Sequence, residues 1–566
     1  MKTAERDFTA LIYYPLASTG GRRARRGKWV NMLNLSDWMA RWKRRIPAVS
    51  DRLADGLLRR QYIVLFLFSV CYFLATCFRA SRKLFWFDEL TTVYVSRLPD
   101  MASVWGALKQ GADLNPPLFY ALTRLSESLF GEGHVAARLP EIVGFWILCL
   151  CLYRFVSIRT SALAGTISML FPLVTTAYYY GYEARPHGIV LGLGGIALVC
   201  WQAAIGSERR AWWLGGLFAA LTCAILNHAY GILLIVPLAL AELVRSLLNR
   251  RIDWPVWVAM AASFSGVLPI LILWRGARGG LPSISQPTLT IPANSYEYLF
   301  GPAAAVLAVG AILYFVVIYA WPDRQAAGNG EQRLESPEVV ALIAFLAIPF
   351  FAYLLAKLTH APLFQRYSIS AIIGFGCVFG IAAARRKTAG LCVLLFLVLQ
   401  IGENLVKYAI TDTVTEPANS LATLSTRLDE FSQKYREMEA LPNRDLPIVL
   451  LNIFEAMPII HYAPAELASR LIYVAPGTQS LFQGYVNMLR ICPAPGRAQS
   501  MSDFLAAHDT FLVYIDSRTL YQLDDFIRKG ADVRIESASG EYLADSLLVS
   551  VTFRKNQKEP AAAESK

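Results

Sequence analysis

The sequence predicts a polytopic α-helical membrane protein of about eleven transmembrane helices that ends in a small external α/β domain. Three observations predict it. The 566 residues are 55% hydrophobic and only 17% charged, against about a quarter charged in an ordinary soluble domain, and the mean hydropathy is +0.40. Apolar runs recur from Gln61 to about residue 410, and about 20 apolar residues suffice to cross a ~30 Å hydrocarbon layer as a helix. From Thr411 onward, short β-branched runs in a more polar background replace them. These features exclude a disordered chain, a single water-soluble globule and, despite a net charge of +12, a nucleic-acid-binding protein.

The elements follow in order. Residues 1–60 carry 14 Lys/Arg against 5 Asp/Glu, nine of the twelve net positive charges. Such a flank reads as cytoplasmic and held near anionic headgroups, and it is too long and polar for the start of a signal peptide. The first run, Gln61 to Phe78, leaves the cytoplasm, and residues 79–133 form a long amphipathic outer loop. Further runs lie near 135–155, 161–180, 188–205, 211–228, 230–245, 254–274, 301–321, 339–356, 368–384 and 389–408. Residues 275–300 are expected as a Pro/Ser/Thr-rich outer loop and Asp323 to Glu338 as a polar inner one. Every inner turn between spans then carries Lys or Arg, as the positive-inside rule requires.

The membrane core is therefore 61–410, with 411–566 on the outer side. Within that last part, residues 447–452, 471–474 and 510–515 read as strands alternating with helices. No glycine-rich phosphate loop follows the first strand, so the domain is not read as nucleotide-binding. Eight of the nine cysteines fall in or beside apolar runs, Cys492 stands in the polar part, and no CxxC pair occurs. Neither a disulfide framework nor a zinc site is indicated.

The chemistry-bearing residues gather on the outer loops. Asp88 and Glu89 follow Phe85-Trp86-Phe87 just beyond the first span. Desolvation penalises carboxylates in such a place and raises their pKa toward the range of a general base; the alternative is that both sit in headgroup water. Asn115-Pro116-Pro117-Leu118-Phe119-Tyr120 either positions a lipid head or begins a helix at its prolines. Arg138 precedes a span, Glu183, Arg185 and His187 fill a very short turn, and Arg366-Tyr367 stands at another helix mouth. A guanidinium forks onto phosphate oxygens or anchors to headgroups. Several of them beside acids point to an anionic ligand reached from outside. The six histidines show no metal-binding spacing, and a divalent ion on Asp88, Glu89 and Glu183 has no support from spacing. Tyr178-Tyr179-Tyr180 fits an interfacial aromatic belt.

The ordered set Trp86-Phe87-Asp88-Glu89-Leu90, Asn115 to Tyr120, Leu129-Phe130-Gly131, Ala137-Arg138-Leu139-Pro140 and Tyr182-Glu183-Ala184-Arg185-Pro186-His187 resembles the bacterial GT-C glycosyltransferases. These include the protein O-mannosyltransferase-like, lipid A aminoarabinose transferase-like and rhizobial core galacturonosyltransferase-like enzymes. The motifs cover roughly residues 60–205. The resemblance implies transfer of a sugar from a polyprenyl-phosphate carrier to a lipid, glycan or protein acceptor on the external face of the bacterial inner membrane. It implies Asp88 as general base with Glu89 as its acidic neighbour. It implies donor-phosphate or substrate contacts for Arg138, Glu183, Arg185, His187, Arg366, Tyr367, Asn115, Pro116 and Tyr120. The departures are Asn115 where the family has His, Phe119 where it has Tyr, and His187 where it has Tyr.

Two other classes compete. A transporter or flippase of lipid-linked or small anionic substrates would also have many spans and buried charges. Transporters commonly show repeats with paired broken helices, which this sequence lacks. An inactive scaffold subunit would share the fold, and the presence of Asp88, Glu183 and Arg185 weighs against it.

Overall fold

A computed structural model describes residues 35–277, 287–320, 334–411, 428–440, 445–475, 497–515, 519–539 and 546–554. Most of the basic segment 1–60, the heart of the 275–300 loop, most of the Asp323 to Glu338 loop, Cys492 and the C-terminal tail lie outside them. Met1–Ala48 and Val49–Lys566 form separate compact units; the apolar helices from Gln61 onward and the C-terminal sheet both belong to the second.

Helices occupy the apolar runs. Among the described residues, Gln61–Arg82, His134–Arg159, Ala229–Asn249, Trp254–Leu273, Thr290–Val316 and Lys387–Ile410 are long and apolar enough to cross a membrane. Ser336–Leu346 and Ile348–Thr359 make a seventh if the pair, bent by 59°, is one span. Ala162–Val174, His187–Ala203 and Ala371–Ala384 are shorter apolar helices, and Arg210–Asn227 is a further helix.

Two expectations need correction. Residues 275–300 are not all loop: Thr290–Phe300 is helical and continues through Gly301–Ala303 into Ala304–Ala320. Pro292 sits in its first turn, where a missing amide costs nothing, and the Tyr296 hydroxyl donates to the Leu346 carbonyl at 2.6 Å. The 161–180 run is not one helix either. Ala162–Leu170 gives way to 3-10 turns at Phe171–Val174 and Thr176–Gly181, because Pro172 cannot continue the α-helical bonding.

The long loop after the first span folds into three helices, Phe87–Ser96, Met101–Lys109 and Pro117–Phe130. Helix His134–Arg159 accommodates Pro140. That proline leaves the Ala136 carbonyl without its helical donor, and the Ser126 hydroxyl supplies one at 2.6 Å. Against His134–Arg159 lies His187–Ala203, at a contact made of glycines. A Cβ on Gly144 would stand 2.6 Å from the Ile189 Cα and 2.7 Å from the Gly188 carbonyl oxygen. Small residues let membrane helices approach this closely.

At the far end of His134–Arg159, buried Glu338 joins three elements. Its Oε1 accepts from Arg159 Nε and Gln202 Nε2, each at 2.8 Å, and its Oε2 accepts from the Glu335 amide.

The C-terminal part contains a six-stranded sheet: β1 (Ile448–Leu450), β2 (Leu471–Ala475), β3 (Ala498–Ser500), β4 (Thr510–Ile515), β5 (Ala531–Ser539) and β6 (Ser546–Phe553). Their order is β3-β2-β1-β4-β6-β5. The first four strands pair in parallel and β6 and β5 are antiparallel. The three strands expected from sequence are β1, β2 and β4. Strand alternation divides the side chains. Ile448, Leu450, Leu471 and Leu512 share a core with Phe87, Leu90 and Val93 of the first loop. Val449, Val474 and Val513 pack on the other face with Phe504 and Phe526. The sheet therefore packs directly on the helices of the first loop.

Gly144→Ala is expected to lower the melting temperature of the purified protein by several degrees, since a methyl forced against backbone costs about 1–3 kcal/mol. Gly106→Ala, where nothing lies within 4 Å, should leave it unchanged or slightly higher. Thermal unfolding in detergent checks both.

Candidate active site

Trp86 is extended and the helix begins at Phe87, which puts Asp88 and Glu89 in the first turn, where free amides favour carboxylates. Adjacent helical positions point about 100° apart, so the two acids face different surroundings.

Glu89 is fully buried. Its Oε1 accepts from Arg138 Nε at 2.6 Å and from the Ala184 amide at 2.8 Å. Its Oε2 accepts from Arg138 Nη2 at 2.8 Å and Lys83 Nζ at 3.3 Å. Arg138, also fully buried, gives its other protons to the carbonyls of Ala80 (2.5 Å), Lys83 (2.7 Å) and Leu84 (3.1 Å). Burial pushes the Glu89 carboxyl up, but the charges of Arg138 and Lys83 and the hydrogen bonds overcome it and hold the group down at about 2.

Lys83 links this pair to the turn that carries Glu183. Its Nζ stands 3.8 Å from Glu183 Oε1 and 4.3 Å from the centre of the Tyr179 ring. The Trp86 indole donates to the same Glu183 oxygen, while Glu183 Oε2 is buried with no hydrogen-bond partner. Burial pushes the Glu183 carboxyl up to about 7, with Glu89 and Asp88 adding to the rise and Lys83 opposing it.

Asp88 faces the other way. Its side chain is 16% exposed, and Oδ2 stands 3.3 Å from Arg366 Nη2 and 3.9 Å from Arg185 Nε, yet accepts no hydrogen bond. Arg185 Nη1 donates to the Asp88 carbonyl at 3.2 Å and to Asp113 Oδ2 at 2.8 Å. Asp113 Oδ2 also accepts from the Tyr120 hydroxyl (2.7 Å) and Asn115 Nδ2 (3.2 Å). Burial pushes the Asp113 carboxyl up, but Arg185 and the Tyr120 hydroxyl hold it below the usual range. Pro116 is extended and Pro117 opens the helix Pro117–Phe130, so the prolines present Asn115 and Tyr120 to the same aspartate.

Beyond Arg366 stands an aromatic wall. The guanidinium lies over Phe364 and Tyr367. The Tyr367 ring is 4.7 Å from Tyr230, 4.9 Å from His228 and 6.2 Å from His187. His187 is buried against Tyr180 as well, 4.8 Å between ring centres.

The structure thus brings Asp88, Arg185, Arg366, Asn115 and Tyr120 into one group and Glu89, Arg138 and Glu183 into its neighbour, with His187 and Tyr367 in the flanking wall. Three residues, Asp113, Lys83 and Glu141, escaped sequence reasoning, and Trp86 was read only as part of its motif. Asp113 stands two positions before Asn115-Pro116, and Lys83 and Trp86 frame the Phe85 step, so their proximity to motifs was the available signal. Glu141, one residue after Pro140, is fully buried and accepts from the Ile189 amide at 2.8 Å; an acid inside an apolar run was its signal. Among the described residues no group of three His, Cys, Asp or Glu is arranged to hold a metal ion. The oxygens of Glu89 that would serve one are taken by Arg138, Lys83 and the Ala184 amide.

Raised above its unfolded value near 4.5, the Glu183 carboxyl contributes stability at acidic pH that is lost as pH rises through about 7. Glu183→Gln, which mimics the protonated form, should match the wild type in melting temperature at pH 5 and exceed it progressively toward pH 8. Paired thermal melts across that range check the sign.

Residues 114–274 match the family of dolichyl-phosphate-mannose-protein mannosyltransferases. No curated protein sequence matches the chain. The fold is similar to that of ArnT from Cupriavidus metallidurans bound to undecaprenyl phosphate, with a TM-score of 0.54, 13% identity and coverage of 87% of this chain and 98% of that one. The apo form of the same protein gives a TM-score of 0.55 and 14% identity over the same shares of the two chains. The chain has the fold of the GT-C glycosyltransferases, as its ordered motifs led one to expect.

Proposed function

We propose that the chain is an inverting glycosyltransferase that draws its sugar from a polyprenyl-phosphate carrier and transfers it to a hydroxyl of an envelope lipid, glycan or protein. The observation that carries this reading is Asp88: a carboxylate oxygen that accepts no hydrogen bond, beside two guanidinium groups, on the first loop beyond a span. The mannosyltransferase match over 114–274 and the undecaprenyl phosphate of the similar ArnT structure support the donor class. In this reading the protein is an inner-membrane enzyme, its residues 1–60 cytoplasmic, its core 61–410 and its domain 411–566 periplasmic.

The Asp88 carboxylate takes the acceptor hydroxyl's proton while the hydroxyl oxygen forms its bond to the anomeric carbon. The bond from that carbon to the phosphate oxygen breaks on the opposite face, the phosphate keeps the electron pair, and the anomeric centre inverts. Arg366, with Arg185 behind it, opposes the charge growing on the departing phosphate; preorganised groups of this kind are often the largest catalytic contribution. Tyr120, Asn115 and Pro116 fix Arg185 through Asp113. Glu89, Arg138 and Glu183 hold the turn that presents Asp88, and His187 and Tyr367 form the wall beside the donor.

The test is transfer from polyprenyl-phosphate sugars by purified protein, the natural sugar and acceptor having been identified by mass spectrometry of envelope glycans and lipids with and without the gene product. Asp88→Asn is expected to cost roughly 10²–10⁴-fold in rate, as for removal of a general base, with membrane insertion intact. Arg366→Ala should cost about 10²-fold or more. Near-native transfer by Asp88→Asn would refute the base assignment, and flux of substrate into sealed vesicles without glycosidic product would make the protein a transporter.

A further inference from the structure

Helix Ile453–Tyr462, between β1 and β2 of the external part, reaches the acidic turn itself. The Phe85 amide belongs to an extended stretch and has no ladder or helix to bond within. It donates to the Tyr462 hydroxyl oxygen at 2.7 Å. A buried amide needs an acceptor, and the Phe85 side chain is buried. The same hydroxyl has His134 Nε2 at 3.2 Å, and the His134 ring packs edge-on against Phe85 at 4.5 Å. One residue earlier, His461 Nδ1 pairs with the Tyr94 hydroxyl at 2.7 Å, on the last turns of helix Phe87–Ser96. Phe454 meets Phe87 edge to face at 4.9 Å. Burial, with Arg97 and His134 nearby, holds His461 down at about 4, so its ring is neutral at physiological pH.

The external helix therefore grips helix Phe87–Ser96 near both ends and takes hold of the backbone three residues before Asp88. A domain that only shielded the loop would touch side chains on its outer surface; this one supplies the acceptor for an amide inside the turn. We propose that Tyr462 is a positioning residue: acting through the Phe85 amide, it fixes the turn that places Asp88 between Arg185 and Arg366. The proposal rests on the reading of Asp88 as the base, and gives the external domain a part in the transfer step.

Hydrogen–deuterium exchange and transfer kinetics on the full-length protein in nanodiscs test it. Tyr462→Phe keeps the ring and removes the oxygen. It should speed exchange over residues 84–90 by up to about tenfold, the scale of one lost hydrogen bond. Exchange in β1 and β4 should not change. In the same variant kcat should fall by roughly tenfold with the donor KM within about twofold, the mark of lost positioning rather than lost binding. Tyr94→Phe cuts the neighbouring contact from the loop side and leaves the Phe85 acceptor in place, so its effect over 84–90 should be smaller. Unchanged exchange over 84–90, faster exchange spread through β1 and β4, equal effects of the two variants, or unchanged kcat would each overturn the proposal. Should the wild type transfer no lipid-linked sugar, the proposed function falls, and the exchange data alone decide whether Tyr462 holds the turn.

Discussion

A carboxylate taken wholly out of water must be matched by cations and donors, and Glu89 is matched by four donor atoms. Desolvation of a buried ion costs several kcal/mol, and removing one member of such a pair typically destabilises by about 3–5 kcal/mol. The cluster is accordingly complete or badly disfavoured. Its members come from places far apart in the chain: Arg138 from the helix His134–Arg159, Lys83 from the end of the first span, the Ala184 amide from the turn before helix His187–Ala203. Arg138 adds three carbonyls around Lys83 to the same knot. One buried charge thus ties the first span, the first loop and the turn that carries Glu183 and Arg185 together, and the helical turn that presents Asp88 is held at that tie.

The neighbouring acids show how one helical turn gives two carboxylates different surroundings. Glu89 is given over to architecture, with both oxygens engaged. Asp88, rotated by about 100°, keeps an oxygen that accepts no hydrogen bond while two guanidinium groups pair with it by charge. Asp113 does for Arg185 what Arg138 does for Glu89. Three further contacts converge on it, which leaves Arg185 a fixed orientation beside Asp88 rather than the freedom of a headgroup anchor.

Much of this was legible in the sequence. Apolar runs located the helices because hydrophobic length is a property of the local chain. Short β-branched runs located β1, β2 and β4 for the same reason. Residues 88–89, 115–120 and 183–187 stood out because charges and prolines beside aromatics are conspicuous in a membrane protein. What stayed hidden depends on partners distant in sequence. Nothing near Lys83 says that it will bridge Glu89 and Glu183, and nothing near Arg138 says that all its donors will be consumed internally. Thr290–Phe300 was obscured by its polar residues and proline. β5 was obscured because an antiparallel edge strand alternates polar with apolar side chains, as in Ala531-Asp532-Val533-Arg534-Ile535-Glu536. β6, paired between β4 and β5, carries the apolar run Leu547-Leu548-Val549 and was open to the same reading as β1, β2 and β4.

The helix His134–Arg159 carries a carboxylate-bound arginine near each end, Arg138 with Glu89 and Arg159 with Glu338. At 1.5 Å per residue these anchors are about 30 Å apart, the thickness of an average hydrocarbon layer. The element behaves as a strut of set length whose ends cannot slip relative to the loops they grip. In a leaflet pair of another thickness, the whole assembly has to lean or the lipid around it has to stretch. Bilayer composition thereby acquires leverage on how high above the lipid the Asp88 turn stands.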